Sequence, residues 1–213
     1  MKNSFFPMRN AMVSTTACSK SVLERLRGLL LLLAFLPALA WAAEIEVHNP
    51  GLTVTEEGHL LSADFRFELS PSLEEAVNRG VVLYFVADFE LTRERWYWLD
   101  EKLLSRSLTY RLSYHALTRQ YRLSTGGLHQ SFETLGEALA VLRRLRHWLV
   151  IPRDDARIVA GGNYQAAVRL QLDVRQLPRP FQISALGNKD WTLASDWNTW
   201  ATKLPVAAAV EDK

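Results

Sequence analysis

The sequence predicts a mainly β protein, an antiparallel β-sandwich with two inserted helices. Three observations carry that reading. Several segments alternate apolar and polar residues with a period of two. Only two segments carry helix-start signals. Connections are short, which favours antiparallel pairing, because parallel crossovers need a helix between most strands. A helix-backed α+β sheet is the alternative.

Taken in order, Leu61 to Leu69 alternates without a break, apolar at odd and polar at even positions, as a strand with one wet face does. Val81 to Glu90 is apolar on both faces until Asp88 and reads as a central strand. Leu108 to His115 alternates again, and Gln120 to Ser124 is placed to pair back across a short loop. Tyr164 to Leu172 is a further alternating strand, and Ala160-Gly161-Gly162-Asn163 before it reads as a hairpin turn. Ser72-x-x-Glu75 and Thr134-x-x-Glu137 match capping boxes. The first helix is expected to stop at Gly80. The second is expected to run to about Trp148, with Leu135, Ala138, Leu139, Leu142 and Leu145 on one face.

The amino-terminal region reads as an export signal. Lys20, Arg25 and Arg27 precede an apolar run, Leu29 to Leu36, then Pro37 and small residues. Ala40-Trp41-Ala42 supplies small side chains where a signal peptidase needs them, so cleavage is expected after Ala42. An uncleaved anchor is the rival reading, but Leu29 to Ala43 makes about 22 Å of helix against a hydrocarbon core of about 30 Å. The domain plan is thus a signal over 1–42, one globular domain over 43–203 and a frayed alanine-rich tail over 204–213. The implied location is the periplasm, without stable membrane insertion.

Export changes the charge balance. The whole chain carries 25 basic and 23 acidic residues. Without residues 1–42 it has 20 basic and 22 acidic groups, a balance of −2, which argues against nucleic acid as a partner. The one cysteine, Cys18, leaves with the signal, so the mature domain is expected to fold without disulfides.

No motif nominates a catalytic residue, a cofactor or a metal site. G-x-S-x-G, H-E-x-x-H, a Walker loop and G-x-G-x-x-G are all missing. His48, His59, His115, His129 and His147 lack ligand spacing, although His115 and His129 would meet if their strands paired. Asp88 and Glu90 share a strand face about 7 Å apart, a separation compatible with acid–base work; the plainer reading is the wet end of a strand. Arg143, Arg144, Arg146 and His147 are expected in the last turn of the second helix, opposite its dipole.

Aromatic residues and arginines are the least ordinary feature. Arg95-Trp96-Tyr97-Trp98 is followed by Tyr110, Arg111, Tyr114, Arg119, Tyr121 and Arg122. Trp96, Trp98, Arg111 and Arg122 are the candidate partner-binding residues, a stacking platform with guanidinium groups. The competing reading is core filling with arginine stems on its rim. Trp191, Trp197 and Trp200 are expected to close the core.

With the Arg95–Trp98 box, the segment Tyr110 to Ser124 and the Asp190-Trp191 and Asp196-Trp197 repeats, the chain resembles the exported proteobacterial family catalogued as domain of unknown function 4390. The likeness covers roughly Ala43 to Trp200. It carries no activity and no functional residues. It implies a periplasmic setting and a link to a membrane sensor histidine kinase. The expected function is a non-enzymatic binding or accessory module of the envelope, partnered by an envelope protein such as that kinase. An envelope hydrolase and a structural envelope component are the alternatives.

Overall fold

The computed structural model describes residues 44–93, 101–159, 161–185 and 188–204. Among them, nine strands form two antiparallel sheets, a mainly β, sandwich-like architecture. The smaller sheet has the order β1-β2-β7, with β1 over Glu46–Val54, β2 over Gly58–Arg66 and β7 over Arg144–Pro152. The larger has the order β6-β5-β4-β3-β8-β9. Its strands are β3 (Leu83–Arg93), β4 (Glu101–His115), β5 (Gln120–Thr125), β6 (Leu128–Phe132), β8 (Asn163–Leu172) and β9 (Asn198–Lys203).

Period-two patterning becomes one shared core. Leu61, Ala63 and Phe65 of β2 face Phe85, Ala87 and Phe89 of β3 and Val168 and Leu170 of β8, all buried. β3 is central, paired with β4 on one side and β8 on the other, as its apolar run predicts. Its second face is only half-covered, since Tyr84, Val86, Asp88 and Glu90 are intermediate in exposure.

Among the described residues three α-helices accompany the sheets. In α1, Pro71–Asn78, the N-cap is Ser70 rather than Ser72: the Ser70 hydroxyl accepts from the Leu73 amide at 3.2 Å. Pro71 explains the shift, because its fixed φ starts the helix one residue after Ser70. α2, Leu135–Leu142, begins as expected, with Thr134 Oγ1 accepting from the Glu137 amide at 3.2 Å. It stops at Leu142, well short of Trp148. The following His-Trp-Leu-Val-Ile run is a strand former, and pairing with β2 satisfies its backbone. α3, Arg179–Ala185, has no counterpart among the two expected helices.

The early end of α2 also relocates the basic cluster. Arg143 lies over the Phe67 ring, 5.3 Å from its centroid, and donates to the Phe67 carbonyl. Arg146 donates to the Ala63 carbonyl at 2.9 Å and pairs with Asp64. Arg146 thus fastens β7 to β2, while Arg143, the C-cap residue of α2, reaches the chain just beyond β2. The glycine turn before β8 differs too. Gly161 does adopt positive φ (76°), yet β7 and β8 belong to different sheets, so the segment crosses between sheets and is not a hairpin. A tight hairpin does join β1 to β2 at Gly58 (φ 140°), where an added Cβ would stand 2.1 Å from the Ile151 carbonyl oxygen.

Among the described residues no helix is long and apolar enough to cross a membrane.

Candidate functional site

β4 is the longest strand, and its last residues run past the start of β3, where Leu83 pairs with Leu112. Beyond that point β4 is supported by β5 alone. Leu112 and Leu123, opposite each other and buried, hold the inner face of this hairpin to the core. Tyr114 and Tyr121 pack with ring centroids 5.0 Å apart, and the Tyr121 hydroxyl donates to Asn78 Oδ1 of α1 at 2.6 Å. Burial pushes the Tyr110 phenol up to about 12 and raises Tyr121, which the nearby Tyr114 and Glu74 charges reinforce. Both phenols therefore stay neutral anchors.

The outer face of the same hairpin is polar. Arg111 stands opposite Ser124, and Arg122 opposite Ser113 and Ser131, so alternation sends both guanidinium groups out of one face. They border a groove of about 430 Å³ whose lining also includes His115, His129 and the Gly126-Gly127 turn. Among the described residues no carboxylate lines it. Arg111 and Arg122 make no ion pair with any described residue. Two unneutralised guanidinium groups among hydroxyls and imidazoles can accept an oxyanion or a carboxylate in a bidentate manner.

Trp96 and Trp98 lie outside the described residues. Their described flanks, Arg93 and Glu101, pair with each other, and Arg111 lies ten residues farther along β4. At roughly 3.3 Å per residue that is about 33 Å. His115 and His129 line the same groove but do not meet. His129 is opposite Ser124, which pairs with Arg111, four residues from His115 along β4. That offset of about 13 Å is far beyond a shared metal shell.

Across β4 the outer face carries acids, but each is engaged. Asp88 accepts from Ser107 Oγ at 2.6 Å, Arg169 Nε at 2.9 Å and Gln171 Nε2 at 3.0 Å. Glu90 pairs with Lys102 Nζ at 2.7 Å. Both carboxylates thus serve as sheet fasteners. Arg169 in turn lies 4.4 Å from the Trp197 ring centroid, and Trp197 is 36% exposed on this outer face. Trp191 is buried, and Trp200, opposite Ala166 on the inner face, is half-buried against the core. Core closure therefore involves two of the three terminal tryptophans.

Sequence reasoning missed His115 and His129 as groove residues and missed β6 as a strand. A usable signal was present. From Lys102 to Phe132 there is no Asp or Glu, while five Lys or Arg and two His occur.

No curated protein and no solved structure is found to match the chain. A family match spans residues 42–201 and so takes in every described strand except the last two residues of β9. On that match the chain belongs to the family described as domain of unknown function 4390.

Proposed function

We propose that the processed chain works in the periplasm as a non-enzymatic binding module, and that the Arg111/Arg122 groove receives an anionic group of its partner. The observation that carries this reading is the pairing of two unneutralised arginines in a groove with no carboxylate. Groups of one sign in a concave surface steer an oppositely charged partner. Export rests on Leu29–Leu36 and Ala40-Trp41-Ala42, and the family match begins beside the expected cleavage point. A membrane sensor histidine kinase is the envelope protein this reading nominates.

A hydrolase built on Asp88 and Glu90 is the weaker reading, because both carboxylates are tied to neighbouring donors.

Crosslinking pull-down from the envelope tests the proposal. The wild-type chain should capture a partner that Arg111→Ala/Arg122→Ala does not. Equal capture by the double variant sinks the groove assignment. Amino-terminal sequencing of the exported protein should begin at Ala43; intact Leu29–Leu36 in the membrane fraction would defeat the processing step.

A further inference from the structure

Among the described residues the two sheets end in four edge strands, and three of them carry features that discourage another strand from pairing. β1 breaks register between His48 and Gly51, with Asn49 at positive φ (48°). β7 shifts twice against β2, passes through His147 at positive φ (51°) and ends at Pro152. β9 ends on the charged Lys203. Bulges, proline and edge lysines are the usual protections of a sheet edge.

β6 has none of these. Its register against β5 is unbroken from Leu128 to Phe132, and Leu-His-Gln-Ser-Phe contains no proline, glycine or fixed charge. Four of its five residues are exposed, Leu128 to 80%. Among the described residues no strand pairs with its outer edge.

Two surfaces of different chemistry flank this edge. On the outer face His129 belongs to the Arg111/Arg122 groove. Toward the inner face, Leu128 borders a depression of about 140 Å³ together with Tyr110, Leu123 and Val141. A strand added to β6 would send alternate side chains to these two surfaces, because its period is two.

We infer that β6 is a strand-addition site for an extended protein segment in which acidic and apolar residues alternate. The inference rests on the groove reading above and names its partner class. Acidic side chains share the outer face with Arg122, about 10 Å away across β6, and with Arg111 one strand farther; apolar ones enter the Leu128 depression, and backbone hydrogen bonds to β6 set the register. A second copy is the poorer occupant. Edge-to-edge pairing of two β6 strands would bring two arginine-lined grooves side by side, with no carboxylate in either to offset the repulsion.

The probe is a synthetic peptide of alternating glutamate and valine, about ten residues long, the upper range of strand length. A block peptide of the same composition and an alternating peptide N-methylated at every second amide serve as controls. Binding to the purified protein is read by fluorescence anisotropy, and β6 is followed by amide hydrogen exchange. The alternating peptide should bind at least about tenfold more tightly than the block peptide, a difference of about 1.4 kcal/mol. It should slow exchange in β6 and lose affinity on N-methylation and in Arg111→Ala/Arg122→Ala.

Equal binding of the block peptide, or β6 amides unchanged on binding, overturns strand addition and leaves the groove reading standing. Binding to phosphatidylglycerol vesicles without binding to peptide overturns it in favour of a membrane surface. A concentration-dependent dimer with protected β6 amides overturns it in favour of self-association. Failure of every anionic probe removes the groove reading as well.

Discussion

Arg111 and Arg122 are diagonal neighbours across the β4–β5 ladder, and both leave the sheet on its outer face. Diagonal Cβ atoms in an antiparallel pair lie about 7–8 Å apart, close enough for two forked side chains to share one anionic group. In the free protein the same proximity is mildly unfavourable. Arg111→Ala should therefore change stability by no more than about 0.5 kcal/mol, as exposed sites do. Thermal melts at low and at physiological salt check this. A loss of several kcal/mol would show that the arginine is a structural element.

His59 is the second testable feature. It is 8% exposed on β2, and neither ring nitrogen has a hydrogen-bond partner among the described residues. Burial lowers its pKa below the usual 6.5. Above about pH 6.5 both folded and unfolded chains hold the ring neutral, and its contribution does not vary. Below that value the unfolded chain binds a proton that the folded chain resists, so stability should fall with pH until the folded pKa is reached. His59→Leu should flatten this part of the pH–stability curve. It should also stabilise the fold by about 1–3 kcal/mol, because an unpaired buried polar group is removed. Chemical denaturation at several pH values measures both effects.

The terminal tryptophans separate by environment. Trp191 is buried and packs against Phe181 with centroids 5.1 Å apart, so Trp191→Ala should cost about 3–5 kcal/mol. Trp197 stands partly exposed over Arg169, and its truncation should cost about 1 kcal/mol, the scale of an exposed cation–π contact plus partial burial. Calorimetry of both variants decides the order. Equal costs would place Trp197 in the core.

Helix capping gives a further check. Ser70→Ala removes the acceptor for the Leu73 amide and should cost about 1 kcal/mol. Ser72→Ala, one residue inside the helix, should be nearly neutral. Urea unfolding of the pair measures the difference, and a reversed order would restore Ser72 as the cap.

The legible parts of the fold are those where one periodicity dominated. Leu61–Arg66 and Tyr164–Leu172 alternate so regularly that only a half-buried strand satisfies them, whereas the alternation expected to continue to Leu69 ends as strand at Arg66. Arg143–Trp148 was illegible because Leu139, Leu142 and Leu145 also fit a helical face. The choice was made by β2, whose Phe65 amide bonds the Arg143 carbonyl at 2.8 Å. That is a partner distant in sequence and invisible to local pattern. β1 was missed because its bulge at His48–Gly51 breaks the alternation, and β6 because its five residues are too short to show one. At the candidate site, the shared face of Arg111 and Arg122 followed from hairpin parity. The acid-free groove needed β6 to be placed beside them.

The placement of β3 has a consequence for the order in which the chain acquires its structure. One edge of β3 is completed by β4, its near neighbour in sequence, but the other waits for β8, where Phe85 meets Leu172. A chain synthesised from its amino terminus delivers β3 long before β8. During that interval a hydrophobic strand has one edge open, at the stage when exposed edges are most prone to pair wrongly. Pairings this distant also slow the search for the native arrangement, toward the millisecond-to-second range of all-β domains. The strand that forms the middle of the finished sheet is thus completed only late, when β8 arrives.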